Sequence, residues 1–219
     1  MTEAHLQKQA EAIIKLLQKE YPGSKLALKF SNPLELLVST ILSAQCTDER
    51  VNRVTKDLFK KYKNVNDYAG ANLKKFEEEI RPTGFYKNKA RNIISASQQI
   101  LKRFNGKIPQ AMEELLTLAG VGRKTANIIL TFAFGKVEGI AVDTHVMRLS
   151  QRLGLSKNNN ADKIEKDLVK IIPKKYWKNF NTLLVVHGRK VCSARRPFCS
   201  ECVLKNICPS FKVFSKITI

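Results

Sequence analysis

The sequence predicts an all-α protein, and three observations predict it. Apolar residues recur at three- and four-residue spacing through most of the chain. No run alternates apolar and polar residues as a half-buried strand would. The breaks between periodic segments carry brief Gly, Pro and Asn punctuation, so helices follow one another through short connections.

In chain order, Leu6, Ala10, Ile13, Ile14 and Leu17 share one face of a first helix that stops at Pro22-Gly23. Asn32-Pro33 has the form of an N-cap followed by proline at the first helical position, where a missing N–H is harmless. It opens an almost continuous apolar run, Leu34 to Ala44, expected as a buried helix. Asp48 to Tyr62 gathers Val51, Val54, Leu58 and Phe59 on one face and keeps its basic residues largely elsewhere. Further helices are expected at about 72–81, 88–103, 109–118, 123–134, 144–153, 161–172 and 175–189. Residues 26–137 form a compact helical series, whereas the chain from about 190 is cysteine-rich and loses apolar periodicity. The N-terminal helix cannot stand alone and must dock on another part of the chain.

Charge narrows the function. Lys and Arg number 39 against 19 Asp and Glu, a formal +20 spread over the whole sequence. Such an excess implies a polyanionic partner, either nucleic acid or an anionic membrane surface. No stretch of about 18 apolar residues is present to span a bilayer, and neither a lipidation motif nor a basic amphipathic segment with exposed aromatics appears. The N-terminus lacks the features of a signal peptide. Nucleic acid is therefore the expected partner, with no membrane, in the cytoplasm or on the nucleoid of a prokaryote.

Four of the five cysteines fall as Cys192-x6-Cys199-x2-Cys202-x5-Cys208. In a chain without a secretion signal this spacing points to metal binding before disulfides. Zinc accepts four thiolates, usually from two CxxC pairs. Here one x2 pair carries longer arms, a spacing that leans towards a [4Fe–4S] cluster and leaves zinc open. Cys46 stands apart and is expected as a small core residue.

The segment Leu115-Leu-Thr-Leu-Ala-Gly120-Val121-Gly122-Arg123-Lys124-Thr-Ala-Asn-Ile-Ile-Leu130 places Gly-x-Gly between two apolar helices. The glycines allow backbone angles closed to other residues and let N–H groups of the new helix approach a phosphate. This is a helix–hairpin–helix pattern, a grip on the DNA backbone that does not depend on base sequence. A lysine in the first turn, such as Lys124, meets the partial positive charge of the helix N-terminus and its basic neighbours. That setting disfavours the ammonium and suits a Schiff-base nucleophile; the plain alternative is a solvated cation. Asp143 opens a helix after the apolar run Ile140-Ala-Val, so it is a natural N-cap and an oriented carboxylate at once. His145 follows as a supporting residue.

Taken together, Leu118-Ala-Gly-Val-Gly-Arg-Lys-Thr-Ala126, Val142-Asp-Thr-His145 and the cysteine signature, in that order, resemble the endonuclease III family of DNA glycosylase/AP lyases. Leu42-Ser-Ala-Gln-Cys-Thr-Asp48 and Gly84-Phe-Tyr86 match weaker segments, so the resemblance spans nearly the whole chain. It implies two helical domains flanking a DNA-binding cleft: a six-helix barrel over 26–137 with the hairpin at 115–130, and an iron–sulfur domain built from 1–25 and 138–219. It implies a [4Fe–4S] cluster on Cys192, Cys199, Cys202 and Cys208, and a monomer acting on duplex DNA that holds a damaged base or an abasic site. Lys124 and Asp143 would be catalytic. Gln45, Gly120, Val121, Gly122, Arg123, His145, Arg195 and Arg196 would contact DNA, with Gln45 filling the space left by a flipped base. The implied activity is excision of oxidised pyrimidines followed by β-elimination. Ala119 departs from the family's usual proline, and Thr83 and Phe85 stand where aliphatic residues usually wedge into the duplex.

Two rival functions use parts of the same pattern. A monofunctional mismatch glycosylase of the superfamily would lack the lysine at 124. A non-catalytic DNA-binding iron–sulfur protein would need neither Lys124 nor Asp143.

Overall fold

The computed structural model describes residues 2–215. Its helices are α1 (Glu3–Glu20), α2 (Pro33–Leu42), α3 (Asp48–Lys61), α4 (Val65–Ala69), α5 (Leu73–Ile80), α6 (Tyr86–Phe104), α7 (Met112–Leu116), α8 (Arg123–Phe134), α9 (Thr144–Arg152), α10 (Ala161–Ile171), α11 (Lys174–Lys190) and α12 (Phe211–Phe214). Short 3-10 turns follow α5 (Arg81–Thr83) and precede α12 (Cys199–Glu201). Among the described residues there is no strand, and no helix is long and apolar enough to cross a membrane.

Two compact units divide the chain, one of Met1–Lys25 with Gly139–Ile219 and the other of Leu26–Glu138. In the first, α1 buries Ala10, Ile13, Ile14 and Leu17 against Val146, Leu149, Leu168, Phe180 and Leu184 of α9, α10 and α11. Each such aliphatic side chain contributes about 1.5–3 kcal/mol when fully buried, which is why a helix remote in sequence belongs to this core. Thr2 caps α1 by accepting from the His5 N–H.

In the second unit α2 is the central helix. Eight of its ten residues are buried, and it packs on α3, α6 and α8. Asn32 caps it through the Glu35 N–H at 3.0 Å, with Pro33 at the first position. Tyr62, Tyr68 and Phe76 stack into an aromatic cluster under α6, with ring centroids 5.0–6.0 Å apart. α4 lies outside the segments expected from periodicity; a capping box between Asn64 and Asp67 makes it.

Candidate active site and cysteine centre

The hairpin is shorter-armed than its sequence suggests. α7 stops at Leu116 rather than near 118–119, because Thr117, Leu118 and Val121 close successive turns onto Glu114, Leu115 and Leu118 carbonyls. Leu118 and Val121 turn inward and are buried, so Val121 offers only its backbone to a partner. Gly120 sits at φ +76°, a left-handed conformation natural to glycine. The Ala119 N–H donates to Gln99 Oε1 at 2.9 Å, tying the turn to α6.

Gly122 caps α8 without a side chain, so nothing covers the helix end from the cap residue itself. The first-turn N–H groups lack intrahelical acceptors and carry the positive end of the helix dipole. Arg123 and Lys124 are the first two helical residues, and both Gly122 and Lys124 are exposed. A helix N-terminus of positive polarity therefore carries an exposed lysine within its first turn.

Asp143 is the N-cap of α9. Its Oδ1 accepts from the His145 and Val146 N–H groups at 2.9 and 2.8 Å, and His145 Nδ1 lies 3.4 Å from Oδ2. One carboxylate oxygen is thus fixed by the backbone while the other faces the imidazole. With its side chain 19% exposed, the carboxylate keeps access to an incoming group.

Besides Asn105 at φ +50° after α6, two loops of the second unit hold left-handed non-glycine residues. Gln45, exposed after α2, has φ +51°, and Phe85, before α6, has φ +48°. Non-glycine residues adopt this region rarely and at a cost. Thr83 is buried and donates its hydroxyl to the Ile80 carbonyl, so only Phe85 of that pair, 64% exposed, projects outward. Cys46 is half-buried in the Gln45 loop, not in the core as expected, because α2 ends at Leu42 and the chain turns away.

Cys192, Cys199, Cys202 and Cys208 are unpaired thiols that line one cavity together with Leu149, Leu204 and other apolar walls. Among the described residues no group of three or more His, Cys, Asp and Glu closes on a metal-ion position. The donor set nonetheless suits a thiolate-held group. Arg152 Nη1 points at Cys192 Sγ (3.3 Å), the Leu204 N–H at Cys202 Sγ (3.4 Å), and His187 Nε2 lies 3.5 Å from the same sulfur. Burial pushes the Cys202 thiol up to about 11 and raises those of Cys199 and Cys208; a bound metal reverses that preference by displacing the protons. His187 is held neutral, its value pushed down to about 4 by burial, and its Nδ1 lies 3.0 Å from the Tyr21 hydroxyl. Against a thiolate, which only accepts, Nε2 must carry the proton and the Tyr21 hydroxyl donates to Nδ1.

Arg195 and Arg196 are exposed in the loop between the first two cysteines. Arg152 braces that loop through the Ser193 and Ala194 carbonyls at 2.7 and 2.8 Å, and Arg148 donates to the Gly188 and Cys192 carbonyls. Sequence reasoning missed Arg152, Arg148 and His187, whose partners lie between 15 and 166 residues away.

An all-helical chain with a hairpin-borne amine and a four-cysteine loop defines a helix–hairpin–helix protein of DNA base excision. Residues 38–174 match the family described as HhH-GPD superfamily base excision DNA repair protein. The chain is 52% identical over 207 residues to endonuclease III of Synechocystis sp., covering 94% of each, and 44% identical over 202 residues to that of Bacillus subtilis, covering 92% of each. A solved non-covalent endonuclease III–DNA complex is similar over 99% of both chains, with 41% identity and a TM-score of 0.92. A thermostable thymine-DNA glycosylase, at 20% identity and TM-score 0.84, shares the fold. This chain belongs to the endonuclease III family, the DNA glycosylase/AP lyases of base excision repair.

Proposed function

We propose that this protein excises oxidised pyrimidines from duplex DNA and then cleaves the strand 3′ to the resulting abasic site through an imine on Lys124. The observation that carries the reading is the exposed Lys124 amine in the first turn of α8, behind the side-chain-free cap at Gly122. Its Nζ attacks C1′ of the flipped nucleotide, the C1′–base bond breaks, and the departing base takes up a proton. The proton on the amine then passes to O4′ as the C1′–O4′ bond breaks, which opens the sugar ring to the imine. Loss of a proton from C2′ expels the 3′ phosphate by β-elimination. Asp143 supplies fixed negative charge where the sugar becomes cation-like, and its backbone-held Oδ1 keeps Oδ2 aimed without reorganisation.

Gly120, Gly122 and the first-turn N–H groups of α8 receive a phosphate, with Arg123 adding charge, and Arg195 and Arg196 of the other unit make DNA-backbone contacts of their own. Gln45 fills the space vacated by the flipped base, Phe85 wedges into the duplex beside it, and His145 supports Asp143 next to the DNA. Cys192, Cys199, Cys202 and Cys208 hold a [4Fe–4S] cluster, as the endonuclease III family does. Bound there, the cluster supplies a rigid centre for the basic loop and takes no part in bond breaking. The protein works as a monomer, with the DNA of the cytoplasm or nucleoid as its substrate.

Borohydride trapping on duplex DNA containing thymine glycol tests the reading, with Lys124→Ala as the comparison. A covalent adduct formed by the natural protein and absent from the variant is the expected result. Base release by the natural protein without any adduct would mean a water nucleophile and the monofunctional reading.

A further inference from the structure

Lys89 is only 4% exposed near the start of α6, although its side chain ends in an amine. Its Nζ donates to two main-chain carbonyls, Leu42 O and Thr83 O, each at 2.8 Å. Leu42 is the last residue of α2, and Thr83 is the last residue of the 3-10 turn Arg81–Thr83. Terminal carbonyls of helical segments have no intrahelical donor, and a cation there meets the negative end of the dipole. One side chain thus caps two segments that are 41 residues apart in sequence, Leu42 and Thr83. Burial holds this ammonium below the usual lysine range, while the charge of the nearby Cys46 acts in the opposite sense.

Each anchored carbonyl leads within three residues into a strained position. Three residues past Leu42 is Gln45 at φ +51°, and two past Thr83 is Phe85 at φ +48°. Gln45, Phe85 and Lys89 line a common cavity of about 200 Å3 with Asn88, Asn92 and Gly120. Left-handed non-glycine residues persist only where their surroundings over-determine them. We propose that Lys89 is a positioning residue that holds the Gln45 and Phe85 loops in one register, so that both side chains enter the duplex together when a base is flipped. This rests on the roles assigned above to Gln45 and Phe85. Lys89 touches no reacting atom in this scheme and acts through those two loops.

A double-mutant cycle tests it, comparing the natural holoprotein, Lys89→Met, Gln45→Ala/Phe85→Ala and the triple variant. Single-turnover release of thymine glycol is measured, together with the fluorescence of 2-aminopurine placed opposite the lesion, which reports duplex opening. Lys89→Met is expected to slow release roughly tenfold to a hundredfold in the natural background. It should also lower the fluorescence change, and should have under about a twofold effect once Gln45 and Phe85 are gone. Equal factors in both backgrounds would mean that Lys89 serves general stability, and no effect in either would remove it from the reaction; both overturn the proposal. If Gln45→Ala/Phe85→Ala by itself leaves release and fluorescence unchanged, the roles given to those two residues fail and this proposal fails with them. Should Lys89→Met not fold by circular dichroism, Lys89→Gln, which stays polar but is shorter and uncharged and so loses the two-carbonyl bridge, carries the same cycle with the same expected outcomes.

Discussion

Gly120 and Asn92 are packed so closely that a methyl group on Gly120 would lie 2.8 Å from Asn92 Cβ and 3.0 Å from its Nδ2. The hairpin turn is thereby seated on α6, which also takes the Ala119 N–H through Gln99. Gly120→Ala carries two penalties. The φ of +76° costs an alanine about 1–2 kcal/mol, and the forced contact adds about 1–3 kcal/mol. The expected loss is roughly 2–5 kcal/mol, read by thermal unfolding, with weaker retention of duplex DNA. Asn92→Ala should not rescue the variant, because the closest atom is Cβ itself. Full rescue by that substitution would show that the turn gives way more easily than these distances imply.

Local signals were legible and distant ones were not. α8 begins and ends where Gly122 and Gly135 bound it, and α2 starts at the Asn32-Pro33 cap, since both depend on neighbours in sequence. Lys124 in the first turn and Asp143 as a cap could be read for the same reason. α4 escaped because five residues are too few for periodicity, although Asn64 and Asp67 are a readable cap pair. Lys89 gave no sign at all: it looks like one more lysine in a basic chain until Leu42, 47 residues earlier, supplies its acceptor. Arg152 and His187 are the same case, found only once folding brings Cys192 and Cys202 to them.

The N-cap role of Asp143 and its proposed catalytic role can be separated by substitution. Asparagine caps a helix as well as aspartate does, whereas alanine loses about 1 kcal/mol of cap stability. Asp143→Asn should therefore melt like the natural protein, while base release slows by roughly 10²–10³-fold if the carboxylate stabilises developing charge. Asp143→Ala should lose both. Melting curves and single-turnover release on the same preparations distinguish these results, and an Asn variant with natural rates would reduce Asp143 to a cap.

Arg195 and Arg196 lie exposed in the loop that Arg152 braces. Each phosphate contact contributes about 0.9 to the slope of log affinity against log salt. Replacing both by alanine should flatten that slope by about two, with the loss of affinity nearly the same for lesion and undamaged duplex. Fluorescence anisotropy across a salt series provides the check. An unchanged slope would place the phosphate contacts elsewhere.

Loss of the proposed cluster should be a local event. The four cysteines of the signature run from Cys192 to Cys208, and among the described residues after Lys190 only the turn Cys199–Glu201 and the four-residue α12 are helical. The remaining helices of that unit are held by the core of Ile13, Leu149, Leu168 and Phe180, which needs no sulfur ligand. Cys202→Ser removes the sulfur approached by both Leu204 N–H and His187. It should abolish the brown colour of the bound cluster while the far-UV circular dichroism changes little. DNA affinity should fall with it, because Arg195 and Arg196 then sit on an unanchored loop, and trapping through Lys124 should persist at high protein concentration. A variant that loses most of its helical signal would show instead that the cluster holds the whole unit together, and the apolar core of α1, α9, α10 and α11 would not suffice without it.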